Sequence, residues 1–268
     1  MSSKILGVAA LGIGLAFCAA APARAQGTIS DAPVNFVRGT SPFDTSPDAS
    51  FNGVSPTLGQ DHLFEFGWWF RVSGDASETV FGTPNTQSYT GAMSTLTWND
   101  VAARGLFSAQ EVATVVNVGG PSGHVTADMT VTNLSAVNPL VIEVFHMIDI
   151  DIQPTAGNDS ATLALANSYI QLSDPGGNTA EYRAPGDVGP VANAYLVRPF
   201  GGTDVGAELS NGTVTNFGNT GLPFGPADFT GGFQWSATIP ASGSQVFRVV
   251  LAVNTMAVPV ELLSFSIE

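Results

Sequence analysis

Four oxygen-bearing side chains lie close together in the sequence and have the residue types of a divalent-cation site: Asp149, Asp151, Asn158 and Asp159. On an extended strand, the first two share a face because successive side chains alternate. A turn around Pro154 can then bring the second two back over the first. Carboxylate and amide oxygens are the ligands that calcium takes in sixes to eights. The pattern therefore predicts a calcium site, with a structural role for the ion.

Two other interpretations of these acids remain open. Their spacing differs from that of the EF-hand loop, and acids at the end of a strand commonly face solvent and cap a turn. A catalytic role needs two carboxyl groups roughly 5–10 Å apart across a cleft. The sequence offers several members for such a pair without showing which of them meet: Glu65, Asp75, Glu78, Glu143 and Asp149.

Motifs for other catalytic chemistry do not occur in the sequence. There is no Gly-x-Ser-x-Gly nucleophile elbow, no glycine-rich phosphate loop before a helix, and no His-Glu-x-x-His zinc motif. The one cysteine, Cys18, lies in the apolar N-terminal stretch, so the rest of the chain has no thiol nucleophile. His146 falls among apolar residues on the strand face opposite Asp149, which predicts a hydrogen-bonded core histidine. We therefore expect no enzymatic activity.

Trp69 and Arg71 form a second candidate site, for a ligand. The residues around them alternate with period two, which predicts a strand with an apolar face made of Phe64, Phe66, Trp68, Phe70 and Val72. Trp69 and Arg71 point to the opposite face. There Trp69 either packs under a second covered face of the sheet or forms, with Arg71, a surface on which a sugar stacks. The sequence leaves both interpretations open.

Strand-like runs separated by turn residues continue along the chain. They cover residues 88–98, 111–118, 125–134, 140–152, 168–173, 180–183, 194–200, 229–239, 245–254 and 262–267. Many strands joined by short turns, with hardly a helix among them, predict an all-β fold, namely a large antiparallel β-sandwich. We expect this domain over residues 61–257. An irregular arm (26–60) would precede it, and a short segment (258–268), with a last strand, would follow.

The first 25 residues have the pattern of a secretory signal peptide. Lys4 supplies a positive start, residues 5–21 are almost entirely apolar, and Ala23-Arg24-Ala25 is an A-x-A cleavage signal. A short apolar run that ends in small residues favours a cleaved leader over a membrane anchor. We therefore expect export, to the extracellular space, the cell surface or the periplasm.

The chain after this leader is strongly acidic. Lys4 and Arg24 lie in the leader, which leaves six arginines against 22 acidic residues, a net charge of −16. Such a surface repels nucleic acids and anionic membranes and suits divalent cations. We expect no nucleic-acid partner. We also expect no further membrane span, since no other apolar stretch approaches the roughly twenty residues that a span requires.

Several motifs, taken in order, resemble those of a group of exported bacterial β-sandwich proteins. They are Trp68-Trp69-Phe70-Arg71 with Gly74-Asp75, Val131-Thr132-Asn133, His146 to Asp151, Gly157 to Ala161, Asn219 to Asp228, and Phe233-Gln234-Trp235. The similarity covers residues 60–255, and many members of the group end in a sorting tail of the PEP-CTERM kind. It implies an extracellular or surface-associated β-sandwich without a known activity. Residues 258–268 do not have the apolar span and basic finish of such a tail, which favours free secretion.

These features together predict an exported, non-enzymatic β-sandwich protein with a structural or adhesive role at the cell surface or in extracellular matrix. Its expected partners are polysaccharides or other surface components. One alternative is a calcium-assisted carbohydrate-binding module, in which Trp69, Arg71 and the acidic turn form the sugar site. The other is a polysaccharide-acting enzyme on a sandwich that resembles the mutarotase-like fold. Exposed aromatic rings would favour the module, and a deep cleft with two facing carboxylates would favour the enzyme.

Overall fold

The computed structural model describes residues 27–38, 48–54, 60–119, 122–155 and 157–254. The predicted signal peptide (1–25) and the predicted C-terminal segment (258–268) lie outside these residues. Within them the chain is almost entirely β-structure, with one α-helix and one 3₁₀ turn. Neither helical segment of the described residues is long and apolar enough to cross a membrane.

The described elements follow one another with short connections. In chain order they are β1 (Gly27–Asp31), β2 (Val34–Arg38), β3 (Ala49–Asn52), β4 (Leu63–Val72), β5 (Thr79–Val80), β6 (Thr86–Thr90), β7 (Met93–Trp98), the 3₁₀ turn (Val101–Ala103), β8 (Phe107–Gly119), β9 (Ser122–Asn133), β10 (Leu140–Ile150), β11 (Asp159–Leu165), β12 (Tyr169–Ser173), β13 (Thr179–Arg183), β14 (Ala194–Pro199), α1 (Val205–Leu209), β15 (Phe224–Ala227), β16 (Phe229–Ile239) and β17 (Ser244–Val253).

These strands form three antiparallel sheets. The largest has nine strands in the order β15-β11-β12-β13-β17-β9-β8-β7-β6, and the second has five in the order β14-β16-β10-β4-β5. The third is the small N-terminal sheet β1-β2-β3. Since every named strand pair is antiparallel, the short turns seen in the sequence suffice to connect most neighbours.

The five-stranded and nine-stranded sheets pack face to face around one hydrophobic core, which confirms the predicted all-β sandwich. Phe70 of β4 meets Phe107 of β8 with ring centroids 5.0 Å apart, and Trp235 of β16 meets Phe247 of β17 at 5.8 Å. Strand β9 shows how the sequence builds such a layer. Its side chains alternate between buried and half-buried, and every second residue from 125 to 131 is buried and apolar.

The outer face of the five-stranded sheet is covered as well. Helix α1 and the segment after it pack against the sheet through a second cluster of buried apolar side chains: Trp69, Phe145, Met147, Leu196, Val205, Leu209 and Phe217. The helix begins behind Asp204, whose Oδ1 accepts a hydrogen bond from the backbone N–H of Ala207 at 2.6 Å. This bond satisfies one of the free amide groups at the helix start. The central strand β10 is therefore buried on both faces from Val144 to Ile150.

The N-terminal part differs from the irregular arm predicted for residues 26–60. Its described residues form the sheet β1-β2-β3, and Ile29, Phe36 and Phe51 are buried in the main core. Residues 26–60 are rich in Pro, Ser, Asp and Gly, which favour turns and loops, and this composition outweighs the short period-two pattern of these strands. Arg38 of β2 forms a buried ion pair with Glu111 of β8, which ties the small sheet to the nine-stranded one.

The predicted core histidine is confirmed. His146 is fully buried, its Nδ1 lies 2.7 Å from the hydroxyl oxygen of Tyr182 on β13, and the rings of Phe66 and Trp68 approach it edge-on. Burial holds the pKa of His146 well below its usual value of 6.5. The ring is therefore neutral and serves to join the two sheets.

Replacing Tyr182 with phenylalanine is expected to lower the free energy of unfolding by about 1–3 kcal/mol, because the His146 ring nitrogen loses its buried partner. Urea denaturation measures this loss. Tyr89→Phe is the matched control, since the Tyr89 hydroxyl makes only a long, exposed hydrogen bond to Oε1 of Gln87, at 3.4 Å. We expect a loss below about 1 kcal/mol there. Equal losses in the two variants would contradict the role assigned to Tyr182.

Candidate metal centre

Two passages of the chain between the large sheets meet at one end of the sandwich. In the first, the chain leaves β10 of the five-stranded sheet, passes Asp151, and enters β11 of the nine-stranded sheet at Asp159. In the second, it leaves β15 of the nine-stranded sheet, passes Asp228, and enters β16 of the five-stranded sheet. The antiparallel register pairs Ile150 with Phe229. The acids next to this pair, Asp151 and Asp228, therefore come side by side.

Three carboxyl groups converge at this crossing. Asp149, Asp151 and Asp228 each offer one carboxylate oxygen, and these oxygens all lie within 4.8 Å of one another. Asp149 stands near the end of β10, opposite Glu65 on β4. It is only 5% exposed, because it shares its face of the strand with Met147, which belongs to the cluster covered by helix α1.

A fourth acid, Asp159, lies at the start of β11 and interacts electrostatically with Asp151 and Asp228. It is fully buried, and its Oδ2 accepts a hydrogen bond from the backbone N–H of Ile152 at 3.1 Å. Its Oδ1 is buried without a hydrogen-bond partner among the described residues, as are the Oδ1 atoms of Asp149 and Asp228. Buried oxygens without a donor are costly, and a cation would satisfy them. We refer to Asp149, Asp151, Asp159 and Asp228 as the acidic cluster.

The surroundings of the acidic cluster oppose the ionisation of its carboxyl groups. Burial raises the pKa of Asp149 to about 8, and the nearby charges of Asp228 and Glu65 add to this rise. Burial likewise raises the pKa of Asp151 to about 6 and that of Asp159 to about 7. A divalent cation beside these groups would favour their charged forms and so lower all of these pKa values.

Positive side chains of the protein do little to neutralise this charge. Five of the six arginines among the described residues form ion pairs with acids outside the acidic cluster: Arg38, Arg71, Arg104, Arg183 and Arg248. The sixth, Arg198 on β14, forms no ion pair with a described acid, and its guanidinium donates to the carbonyl oxygen of Val197 at 3.4 Å. The single lysine of the sequence, Lys4, belongs to the predicted leader. The acidic cluster therefore concentrates negative charge at the crossing, which is the electrostatic condition for binding a hard cation.

Of the four predicted metal ligands, the structure brings Asp149 and Asp151 together with Asp228, and Asp159 lies near enough to interact electrostatically with Asp151 and Asp228. Asn158 is exposed, and its backbone N–H donates to the carbonyl oxygen of Thr155 in a turn; its side chain stays a predicted ligand. Asp228 completes the cluster and was not predicted as a ligand. The only signal for it in the sequence is weak: Asp228 directly precedes the strand-like run 229–239, and Asp151 lies near the end of the run 140–152. Metal binding by these residues stays a prediction.

Trp69 packs in the interior. It lies on the opposite face of β4 from Trp68, as the alternation predicts, and is only 1% exposed. Its ring belongs to the second apolar cluster, where it packs with Val205 and Leu209 of α1. No face of the indole is left open for a sugar, so the structure supports the packing interpretation and not the stacking one.

Arg71 lies on the same face of β4 and is held by several bonds. Its guanidinium pairs with Glu78 and donates to the carbonyl oxygen of Thr215 at 2.7 Å and to Oδ1 of Asn216 at 2.6 Å. These bonds fasten the segment after α1 to the sheet. Arg71 also lines a small surface depression together with Glu143. Its observed contacts are structural, and its ligand-binding role stays a prediction.

Among the described residues, the acidic cluster is therefore the best candidate for a ligand-binding site. No protein-family model matches this chain, and no curated protein matches it. The functional conclusion therefore rests on the residues of the chain and their geometry.

Proposed function

We propose that this chain is an exported, calcium-binding β-sandwich protein with a structural or adhesive role at the cell surface or in extracellular matrix. The observation that carries the proposal is the acidic cluster. Its carboxylates come from two separate crossings between the sheets, and three of their buried oxygens have no partner among the described residues. A cation bound there would join segments of both large sheets.

Calcium suits this donor set better than the other common divalent cations. Zinc in proteins is bound mainly by cysteine and histidine, which the acidic cluster does not contain. Magnesium demands near-ideal octahedral geometry and gives up its waters reluctantly. Calcium accepts carboxylates, backbone carbonyls and waters in a flexible arrangement of six to eight oxygens. We therefore assign Asp149, Asp151, Asp159 and Asp228 as its protein ligands.

The signal-peptide pattern of residues 1–25 supports export of the chain. An exported protein often relies on disulfides, but this sequence has no cysteine beyond Cys18. A bound calcium ion would supply a comparable cross-link between distant parts of the chain. Extracellular calcium modules typically bind with Kd values of about 10⁻⁴–10⁻³ M, so the site would fill outside the cell.

Polysaccharides or other matrix components are the partners that we propose for an adhesive role. The buried position of Trp69 removes the aromatic platform on which the carbohydrate-binding-module alternative depended. A structural role needs no such pocket, and the nine-stranded sheet offers a broad outer face of half-exposed polar residues such as Thr97 and Thr130. We therefore favour the structural or adhesive role over the sugar-specific module.

Calorimetric titration of metal-free protein with calcium tests the proposal. We expect one binding event in the range of about 10⁻⁴–10⁻³ M, together with a melting temperature that rises by several degrees at saturating calcium. Asp228→Asn is expected to weaken binding at least about tenfold, the loss that follows removal of even an outer-shell partner of a metal. Asp187→Asn is the matched control, because it removes the same charge from an exposed carboxylate paired with Arg248.

Two results would contradict the calcium site. The first is a titration without binding heat and without a change in melting temperature. The second is equal weakening by Asp228→Asn and Asp187→Asn, which would indicate that calcium responds only to the overall charge of the protein.

A further inference from the structure

Two aromatic rings are exposed among the described residues, and both lie beside the acidic cluster. Phe200 is 53% exposed and Phe64 is 42% exposed, whereas the other aromatic side chains of the described residues are buried or half-buried. A single exposed apolar side chain is ordinary on a protein surface. What is informative is that the two exposed rings flank the same group of acids.

Phe200 stands directly opposite Asp228. It continues strand β14 by one residue, and its backbone N–H donates to the carbonyl oxygen of Asp228 at 3.0 Å. The register of β14 with β16 sets Phe200 against Asp228, and the register of β10 with β16 sets Asp151 against the same residue. Residues directly opposite each other in a sheet present their side chains to the same face. Phe200, Asp228 and Asp151 therefore form one row across the end of the sheet.

A bulge in β4 places Phe64 on the other side of the acidic cluster. The pairing with β10 sets Glu65 opposite Asp149 and Leu63 opposite Ile150, so Phe64 is an extra residue between the two pairs. The alternation in the sequence predicts Phe64 on the apolar face, but the bulge turns its ring out of the core. In the strand order β14-β16-β10-β4, the two phenylalanines are three strand spacings apart, or about 14 Å, with the acids between them.

The acidic cluster leaves positions free in the coordination of a cation. Asp149 and Asp159 are buried, but Asp151 and Asp228 are half-buried, so the cluster is open to solvent on their side. Calcium takes six to eight oxygens, and four aspartates that each give one oxygen supply only four. Further oxygens must therefore complete the shell, and they can come from outside the chain.

The charge around this open side favours a neutral ligand. The four acids of the cluster and Glu65 exceed the two charges of calcium, even with the charge of Arg198, which lies two residues before Phe200 on the same face of β14. An anionic ligand would meet this excess of negative charge. Neighbouring hydroxyls of a sugar supply two neutral oxygens together, and the C–H face of a sugar ring is apolar enough to cover an exposed phenyl ring.

We propose that the calcium at the acidic cluster is the binding site for a neutral polysaccharide. Two neighbouring hydroxyls of one sugar complete the coordination of the ion, and Phe64 and Phe200 pack against the C–H faces of the sugars on either side. This inference rests on the proposed function, and it names the partner of the adhesive role and the surface that binds it. Because the metal contacts only a pair of hydroxyls, the site accepts a class of polymers and not a single sugar.

Retention of the purified full chain on immobilised galactan, mannan and glucan, in calcium or in chelator, tests the inference. We expect retention on at least one of these neutral polymers in calcium, and none in chelator. Retention on polygalacturonate should be weaker, because its carboxylates meet a negative surface. Soluble fragments of the retained polymer should in turn raise the affinity of the protein for calcium, since the coupling between two ligands is reciprocal.

Two variants remove the rings without touching the metal ligands. Phe200→Ala and Phe64→Ala should each weaken retention about tenfold, and the affinity for calcium alone should stay the same. Leu134→Ala is the matched control, because it shortens an apolar side chain that is 46% exposed in the turn before the opposite end of β10. This variant should be retained like the unmodified protein.

The outcomes separate the two proposals. Calcium binding without retention on any neutral polymer would overturn this inference and leave the proposed function standing. Retention that persists in chelator, that survives the loss of both rings, or that is strongest on polygalacturonate would likewise overturn it. Calcium-dependent self-association that the two ring variants abolish would assign the surface to a second copy of the chain instead. Failure to bind calcium at all would overturn both proposals.

Discussion

In the presence of a chelator, the free energy of unfolding is expected to fall as the pH rises from about 4 to about 8. The cause is Asp149, whose pKa is raised by burial from 3.8 to about 8 in the folded protein. Between these values the folded state keeps a proton that the unfolded state has lost. This contribution to stability is therefore fully present below pH 4 and disappears as the pH rises through 8. The loss from this group is roughly 3–5 kcal/mol.

Calcium is expected to reverse this trend. The ion needs ionised carboxylates, so its binding releases protons and becomes stronger as the pH rises. In millimolar calcium the protein should therefore be more stable at pH 8 than in chelator, whereas at pH 5 the two conditions should differ little. The burial of neutral His146 has the opposite effect on stability, because below pH 6.5 the unfolded state gains a proton that the folded state does not take up. This effect is the same with calcium and with chelator, so it cancels when the two conditions are compared.

Asp149→Asn separates these effects, because the amide cannot ionise. In chelator at pH 8 we expect this variant to be more stable than the unmodified protein, while in calcium we expect the order to be reversed. Urea denaturation at pH 5 and pH 8, with calcium or with chelator, measures both. Asp187→Asn, at an exposed position outside the acidic cluster, should follow the unmodified protein throughout. A variant at position 149 that still loses stability with pH as steeply as the unmodified protein would contradict the assignment.

Replacing one member of the buried ion pair Arg38–Glu111 is expected to lower the free energy of unfolding by about 3–5 kcal/mol. Both side chains are 1% exposed, and the Arg38 guanidinium lies over the rings of Phe36 and Phe66 at 5.3 and 5.4 Å. Taking either partner away leaves the other charge in a site that water does not reach. Glu111→Leu and Arg38→Met each test this by urea denaturation.

The double variant Arg38→Met with Glu111→Leu is expected to recover most of the loss, because no charge then remains buried. Arg104→Met is the matched control for removing an arginine. Arg104 pairs with Asp75 at 2.7 Å near the surface, with side chains 32% and 20% exposed, and we expect a loss below about 1 kcal/mol. Additive losses in the double variant would show that burial of the charges is not the cause.

The fold class was readable from the sequence because alternation is a local property. Phe66, Trp68 and Phe70 alternate in the sequence, and the structure buries all three in the main core. The same argument put Asp149 and Asp151 on one face of their strand, and their carboxylates are close together in the structure. The N-terminal strands were not predicted, because each has at most five residues and lies among the Pro, Ser, Asp and Gly residues of an apparent loop region.

Local alternation could not predict that Asp228 joins the acidic cluster or that Trp69 is buried. Asp228 reaches Asp151 because β10 and β16, far apart in the chain, pair in one particular register. Trp69 is buried because α1, which follows it at a long distance in sequence, covers the outer face of the sheet. Backbone geometry alone makes neighbouring side chains alternate, so local pattern predicts the face on which a residue lies. Which residues pack against that face depends on how segments distant in the sequence bury their apolar surfaces together. These long-range contacts form only in the folded chain.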